Sequence, residues 1–384
     1  MLDPLIDFIR ATYRTSEVIP LHAPVFRGNE KLYVADTIES TFVSSVGAYV
    51  DRFEHTLSAY TGSERAVAVV NGTAALHIAL KLVGVTTGDF VITQPLTFIA
   101  SCAAITYCGA EPVFVDVDKS TLGLSPSSVG LWLEEYCEIR HDGICHHKVS
   151  GRVVRACVPM HTFGHPADLD GLTDVCRRWN LALVEDAAES LGSRYRGKHT
   201  GTFGRAGALS FNGNKIITTG GGGAVLTDAA LGARAKHITT TAKQPHPYEF
   251  VHDEVAYNYR MPNLNAALGC AQMEMLAGFI EAKRRLATDY ADVLKNSDLQ
   301  FVVEPADATS NYWLNAVICA NGAQRDQLLD YTNSRNVMTR PIWRLMSRLP
   351  MFEKCPRGSL ENAEWLEERV VNLPSSVPSE TMLS

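Results

Sequence analysis

Short runs of β-branched and other apolar residues alternate with helical patterns across the first two thirds of this chain, and few folds accept that order. The runs at 66–70, 90–93, 112–117, 153–160, 181–185, 207–211 and 224–227 read as buried strands. Between them, residues 73–83 are rich in Ala and Leu, while 168–179 open with acidic residues and close with Arg177 and Arg178, as helices do. Such alternation implies an α/β fold with a mainly parallel central sheet and helices on both faces. Sheets of that kind gather ligands at the carboxyl ends of their strands. After about residue 270 the pattern changes to a long predicted helix over 264–294 and short strands at 301–303 and 314–318. The expected organisation is a large ligand-binding domain over residues 1–270 and a smaller α+β domain over 271–384.

Composition narrows the partners. A chain of 384 residues, 46% hydrophobic and 20% charged, buries a sizeable core without staples. A formal net charge of −7 gives no footprint for nucleic acid or an anionic membrane, so any bound phosphate must be held by local geometry. No apolar run approaches the ~18 to 20 residues of a membrane span, and Met1 to Asp7 show no basic-then-apolar secretory pattern. Nine cysteines, an odd number set mostly among apolar residues, fit a reducing cytoplasm better than a disulfide framework. His141, Cys145, His146 and His147 match no common zinc spacing, so no metal site is expected.

One constellation carries chemistry. Lys215 ends the polar turn Ser210-Phe211-Asn212-Gly213-Asn214-Lys215, and Asp186 closes the predicted strand before it, in Val184-Glu185-Asp186-Ala187-Ala188-Glu189. A lysine alone is usually a solvated charge, and Asp186 alone could be a strand-end cap. Together they are what pyridoxal phosphate requires: an amine for a Schiff base and a carboxylate that keeps the pyridine nitrogen protonated. Asn71-Gly72-Thr73-Ala74-Ala75-Leu76 follows the first strand and opens a helix, which makes a ready site for the cofactor phosphate or a simple N-cap. Ser210 could add a hydroxyl, and Phe98 could stack on the pyridine ring or belong to the core. The run Gly220 to Gly223 suggests a tight turn beside a bulky ligand. Arg260, His246 and Arg340 are candidate substrate contacts or structural ion-pair partners.

Gly-Thr-Ala-Ala-Leu, Thr97-Phe98, Pro112 to Asp118, the Glu-Asp-Ala-Ala-Glu run, Ser210 to Lys215, and Asn258-Tyr259-Arg260-Met261-Pro262-Asn263 follow one another in a familiar order. The chain resembles the DegT/DnrJ/EryC1/StrS sugar aminotransferases from about residue 20 to residue 375. The resemblance implies the aspartate-aminotransferase-like fold, residues 1–270 as the pyridoxal-phosphate domain with an N-terminal substrate-loop segment, and a homodimer with shared active sites. It also implies amino transfer from glutamate to a keto sugar on a nucleotide diphosphate. It makes Lys215 the Schiff-base lysine and Asp186 the partner of the pyridine nitrogen, with Phe98 stacked on the ring. Gly72, Thr73 and Ser210 then hold the phosphate, joined by Asn258 from the partner chain, and Glu189 lies near the phenolic oxygen. Gly221 stands where relatives commonly have glutamate.

The stretches Phe42 to Gly47, His161 to Pro166, Ser210 to Gly223 and Thr240 to Lys243 look like the branch that aminates C4 of a UDP-linked 4-keto-6-deoxy-N-acetylhexosamine, on routes to legionaminic acid or bacillosamine. Another nucleotide-linked keto sugar, such as GDP-linked 4-keto-6-deoxymannose or a 3-keto sugar, is the alternative, as is a non-catalytic cofactor-binding regulator. The regulator would need a DNA-binding module, and no basic helix-turn-helix is visible. A dehydrogenase would need Gly-x-Gly-x-x-Gly after the first strand; Gly201 to Gly207 has the wrong spacing and precedes a strand. Lys215 argues against the family's 3-dehydratases, which carry histidine there.

Overall fold

The computed structural model describes residues 2–378. Its centre is a seven-stranded sheet of β1 (Arg65–Val69), β2 (Phe90–Thr93), β3 (Glu111–Phe114), β4 (Val154–Val158), β5 (Ala182–Asp186), β6 (Ala206–Ser210) and β7 (Gly223–Thr227), in the order β1-β7-β6-β5-β4-β2-β3. All seven runs expected from the sequence are strands. Their residues are buried almost throughout, as both-face coverage requires. β7 runs antiparallel to β1 and β6, while the other pairings are parallel.

The helices around the sheet begin and end on ordinary signals. α1 (Asp3–Tyr13), α2 (Glu30–Glu39) and α3 (Ala48–Thr61) precede β1, and α4 (Gly72–Leu82) follows it. Asn71 caps α4 by accepting a hydrogen bond from the Ala74 amide at 2.7 Å. Further along lie α5 (Ile99–Tyr107), α6 (Pro126–Tyr136), α7 (Leu169–Arg178) and α8 (Ala229–Thr239). Asp168 caps α7 through the Gly171 amide, and Arg177 and Arg178 sit at its carboxyl end.

α9 (Asn263–Leu294) has 32 residues, a length of about 48 Å at the usual helical rise. Residue 270, the expected boundary, falls within it. Beyond it, the strands Gln300–Phe301, Asn315–Ile318, Val370–Leu373 and Arg340–Pro341 form a second, antiparallel sheet with α10 (Gly322–Asn333) and α11 (Glu361–Arg369). The amino end of the chain joins this part: Leu5, Ile6 and Ile9 of α1 share a core with Tyr290, Val317 and Val371. Among the described residues no helix is long and apolar enough to cross a membrane.

The polar excursion around residue 141 is a small hairpin, Cys137–Ile139 with Cys145–His147. Its side chains serve packing and local bonding: Cys145 is buried, His146 Nε2 lies 3.0 Å from Asp142, and His147 stacks on Trp132 and Tyr136.

Candidate active site

The carboxyl ends of the parallel strands meet at a cavity of about 390 Å³, lined by Asn71, Gly72, Thr73, Phe98, Asp186, Glu189, Ser210 and Lys215, with Leu76, Ala100, Met160, Ala188, Asn212, Asn214, Trp313 and Trp343. At one end the first turn of α4 leaves the Gly72 and Thr73 amides without intrahelical acceptors. β6 ends at Ser210 directly against this turn. A Cβ on Gly72 would stand 2.7 Å from Ser210 Cβ and 2.9 Å from its Oγ, so only glycine allows the hydroxyl and the amides to meet there.

The glycine run makes the tight turn expected of it, with φ of 79° at Gly220. Gly220 to Gly223 do not line the cavity. A Cβ on Gly223 would lie 2.4 Å from the Asn71 carbonyl oxygen, so this residue is small because β7 crosses closely behind the α4 cap.

Asp186 ends β5 at the cavity floor and is buried. Its Oδ2 accepts from Ser101 Oγ at 2.6 Å and its Oδ1 from the Ala188 amide at 3.2 Å. Ser101 also shares a hydrogen bond with Thr97 Oγ1 at 2.7 Å. The carboxylate is therefore fixed by a hydroxyl chain at the start of α5 that the sequence reading missed. Phe98, at the same helix start, is 51% exposed; it stands on the cavity wall and is no part of the core.

Lys215 Nζ donates to Glu189 Oε1 at 3.1 Å and lies 4.0 Å from the centre of the Trp313 ring. Glu189 is buried, and burial pushes its carboxyl up to about 7 although Lys215 and the Phe163 amide pull the other way. The Phe163 amide reaches Glu189 Oε2 at 2.9 Å because Phe163 takes a left-handed conformation, with φ of 59°. The sequence stretch His161 to Pro166, expected to distinguish the substrate branch, thus acts beneath the cavity. His161 Nδ1 accepts from the Ala167 amide, so its Nε2 carries the proton that faces Glu185 Oε2 at 3.1 Å.

The remaining expected residues lie elsewhere. Asn258 is exposed, does not line its own chain's cavity, and accepts from Arg260 Nε at 3.0 Å. Arg260 bridges β1 at Val69 through its backbone, and His246 is exposed beside Glu249. Arg340 lines a second cleft of about 460 Å³ that shares Asn214, Trp313 and Trp343 with the first cavity. Among the described residues the one grouping of possible metal ligands is His237, Asp253 and Glu254. These form surface ion pairs, Arg234 holding Glu254.

The DegT/DnrJ/EryC1/StrS aminotransferase family model matches residues 25–381. The chain is 37% identical to the GDP-perosamine synthase of Escherichia coli O157:H7 over 93% of both chains. It is 35% identical to the putative pyridoxal phosphate-dependent aminotransferase EpsN of Bacillus subtilis, over 93% of this chain and 90% of that one. The GDP-perosamine synthase of Vibrio cholerae is 34% identical over 93% of this chain and 94% of its own. Among solved structures, the aminotransferase TlmJ from Streptoalloteichus hindustanus superposes with a TM-score of 0.83 at 27% identity, covering 93% of each chain.

Proposed function

Since this chain belongs to the DegT/DnrJ/EryC1/StrS aminotransferase family, we propose that it moves an amino group from glutamate to C4 of GDP-linked 4-keto-6-deoxymannose. It is a pyridoxal-phosphate-dependent nucleotide-sugar aminotransferase. The observation that carries the sugar is the likeness to GDP-perosamine synthases at 34 and 37% identity over 93% of the chain. It favours a GDP-linked sugar over the UDP-linked acetamido sugar expected from the sequence stretches.

The cavity fits the cofactor in each of its parts: an amide-and-hydroxyl cradle that a Cβ on Gly72 would fill, an aromatic wall, a buried carboxylate and an amine. When bound, pyridoxal phosphate supplies an aldehyde carbon for amino exchange and a ring that accepts electrons. The chain's residues supply the rest. The amides of Gly72 and Thr73 with Ser210 Oγ bind the phosphate, and Phe98 covers the ring face. Asp186, held by Ser101 at 2.6 Å, keeps the ring nitrogen protonated. Lys215 Nζ would hold the aldehyde and would serve as the amine that moves a proton between carbon atoms. Glu189, its carboxyl raised by burial to about 7, accepts a hydrogen bond from Lys215 Nζ at 3.1 Å and so positions the amine at the cavity. The enzyme works as a homodimer, with Asn258 of the partner subunit completing the phosphate site.

Incubation of the enzyme with glutamate and a panel of keto sugars, read by product mass, tests the substrate. GDP-linked 4-keto-6-deoxymannose should be aminated fastest. Preference for the UDP-linked acetamido sugar would restore the expectation from the sequence, and preference for a 3-keto sugar would sink both.

A further inference from the structure

His22 lies on the segment that leads into the second cleft. Its neighbours are tied to the end of the chain: the Ser375 amide donates to the Leu21 carbonyl at 2.7 Å, and the Ala23 amide donates to Ser376 Oγ at 2.8 Å. The ring is thereby held 6.4 Å from the Trp313 ring, with both nitrogens buried and without a hydrogen-bond partner among the described residues. Buried polar atoms are nearly always partnered, so a ring that lacks both partners needs a reason. Burial, followed by the charges of Lys283 and Lys215, holds this imidazole well below its ordinary pKa. It is therefore neutral, with one donor and one acceptor to offer.

The cleft around it is cationic. Arg340 donates to Asn333 Oδ1 at 3.0 Å and to its neighbour's carbonyl, Thr339, at 2.9 Å. Among the described residues no carboxylate pairs with Arg340 or Arg344, and no Asp or Glu lines the cleft. Its shared walls, Asn214, Trp313 and Trp343, open it toward Lys215. We propose that this cleft binds an oxyanion group of the substrates, with Arg340 and Arg344 on its oxygens and the His22 ring as the neutral partner that fixes its orientation. Two substrates carry such a group: the amino donor through its distal carboxylate and the sugar nucleotide through its diphosphate. The inference rests on the aminotransferase reading above.

Equilibrium binding to the cofactor-loaded enzyme tests it without turnover. The probes are glutarate, a dicarboxylate with no amine to transfer, and GDP, both followed by quenching of tryptophan fluorescence, because Trp313 and Trp343 wall the cleft. Arg340→Ala and Arg344→Ala should each weaken one probe by roughly tenfold, the scale of a charge-assisted hydrogen bond. His22→Phe, which keeps the ring volume, should weaken the same probe severalfold. Arg344→Lys should recover part of the loss. If glutarate is the probe affected, the donor carboxylate occupies the cleft; if GDP, the diphosphate does. Unchanged affinity for both probes in all three variants overturns the proposal. A wild-type enzyme that binds these probes yet fails to aminate the GDP-linked sugar would instead defeat the substrate assignment alone.

Discussion

Lys215 and Glu189 meet at 3.1 Å, and the pair is poised by burial. The Glu189 carboxyl moves from 4.5 to about 7 on folding, so its protonated form is the one the fold prefers. Its contribution to stability is complete below about pH 4.5 and is lost as pH rises through about 7, a loss on the order of 3 kcal/mol. Glu189→Gln, neutral at every pH, should escape that loss: denaturant melts of cofactor-free protein should show the variant gaining on wild type between pH 5 and pH 8. A parallel pH profile for the two proteins would refute the assignment. Asp186→Asn should keep the cofactor but lower turnover by at least about a hundredfold, because an amide cannot balance a pyridinium charge; a near-normal rate would mean that another group protonates the ring. Lys215 and Asp186 stood out in the sequence because cofactor chemistry calls for an amine and a carboxylate near strand ends, whereas Glu189 was singled out only by the family resemblance. Ser101 and Trp313 did not stand out. Ser101 meets Asp186 across 85 residues, and the Trp313 indole donates to the Asn214 carbonyl across 99. Contacts of that range are set by topology rather than by local pattern.

A tight junction between elements positions the Glu189 carboxyl. Directly after Phe163, whose amide donates to Glu189, Gly164 has φ of 95°, and a Cβ there would fall 1.9 Å from Asn311 Oδ1. Gly164→Ala should cost about 1–3 kcal/mol through strain and overpacking, read as a lowered denaturation midpoint, and should loosen the Phe163 amide from Glu189. An unchanged midpoint would show that Asn311 yields freely. The elements themselves divide by how they are buried. The seven strands were readable because each is a short apolar run covered on both faces. The reversed direction of β7 was not, since a fully buried run looks the same whichever way it lies. The hairpin at Cys137–Ile139 and Cys145–His147 escaped because its strands have three residues each, too few for a period. α2 escaped for another reason: the residues it buries are Glu30 and Thr37, while Leu32 and Ile38 face outward, so its pattern carries no inward apolar stripe.

That outward apolar face bears on the whole molecule. Phe26, Leu32, Ile38, Phe42, Val43 and Val46 are exposed on the amino-terminal part, as are Tyr248, Phe250 and Val255 near Asn258. So much exposed apolar side chain is unusual for a monomer and suits contact with another subunit. Asn258 is exposed beside Arg260 and away from its own chain's cavity, as a residue offered to a partner would be. In the proposed closed two-fold dimer, each chain would give its Asn258 to the other's phosphate site and receive the same in return. Asn258 does not cap α9, since Pro262 precedes that helix and no side-chain cap bond forms there. Mixing chains distinguishes the arrangements. Lys215→Ala chains should be inactive, and chains with a disruptive Asn258 substitution should be severely impaired. In a mixed dimer one of the two sites then holds Lys215 and Asn258 both intact, so exchange between the two inactive preparations should restore part of the activity, approaching one competent site per mixed dimer. If subunit exchange is verified by mass and no activity returns, each site is built from a single chain and Asn258 does not reach across.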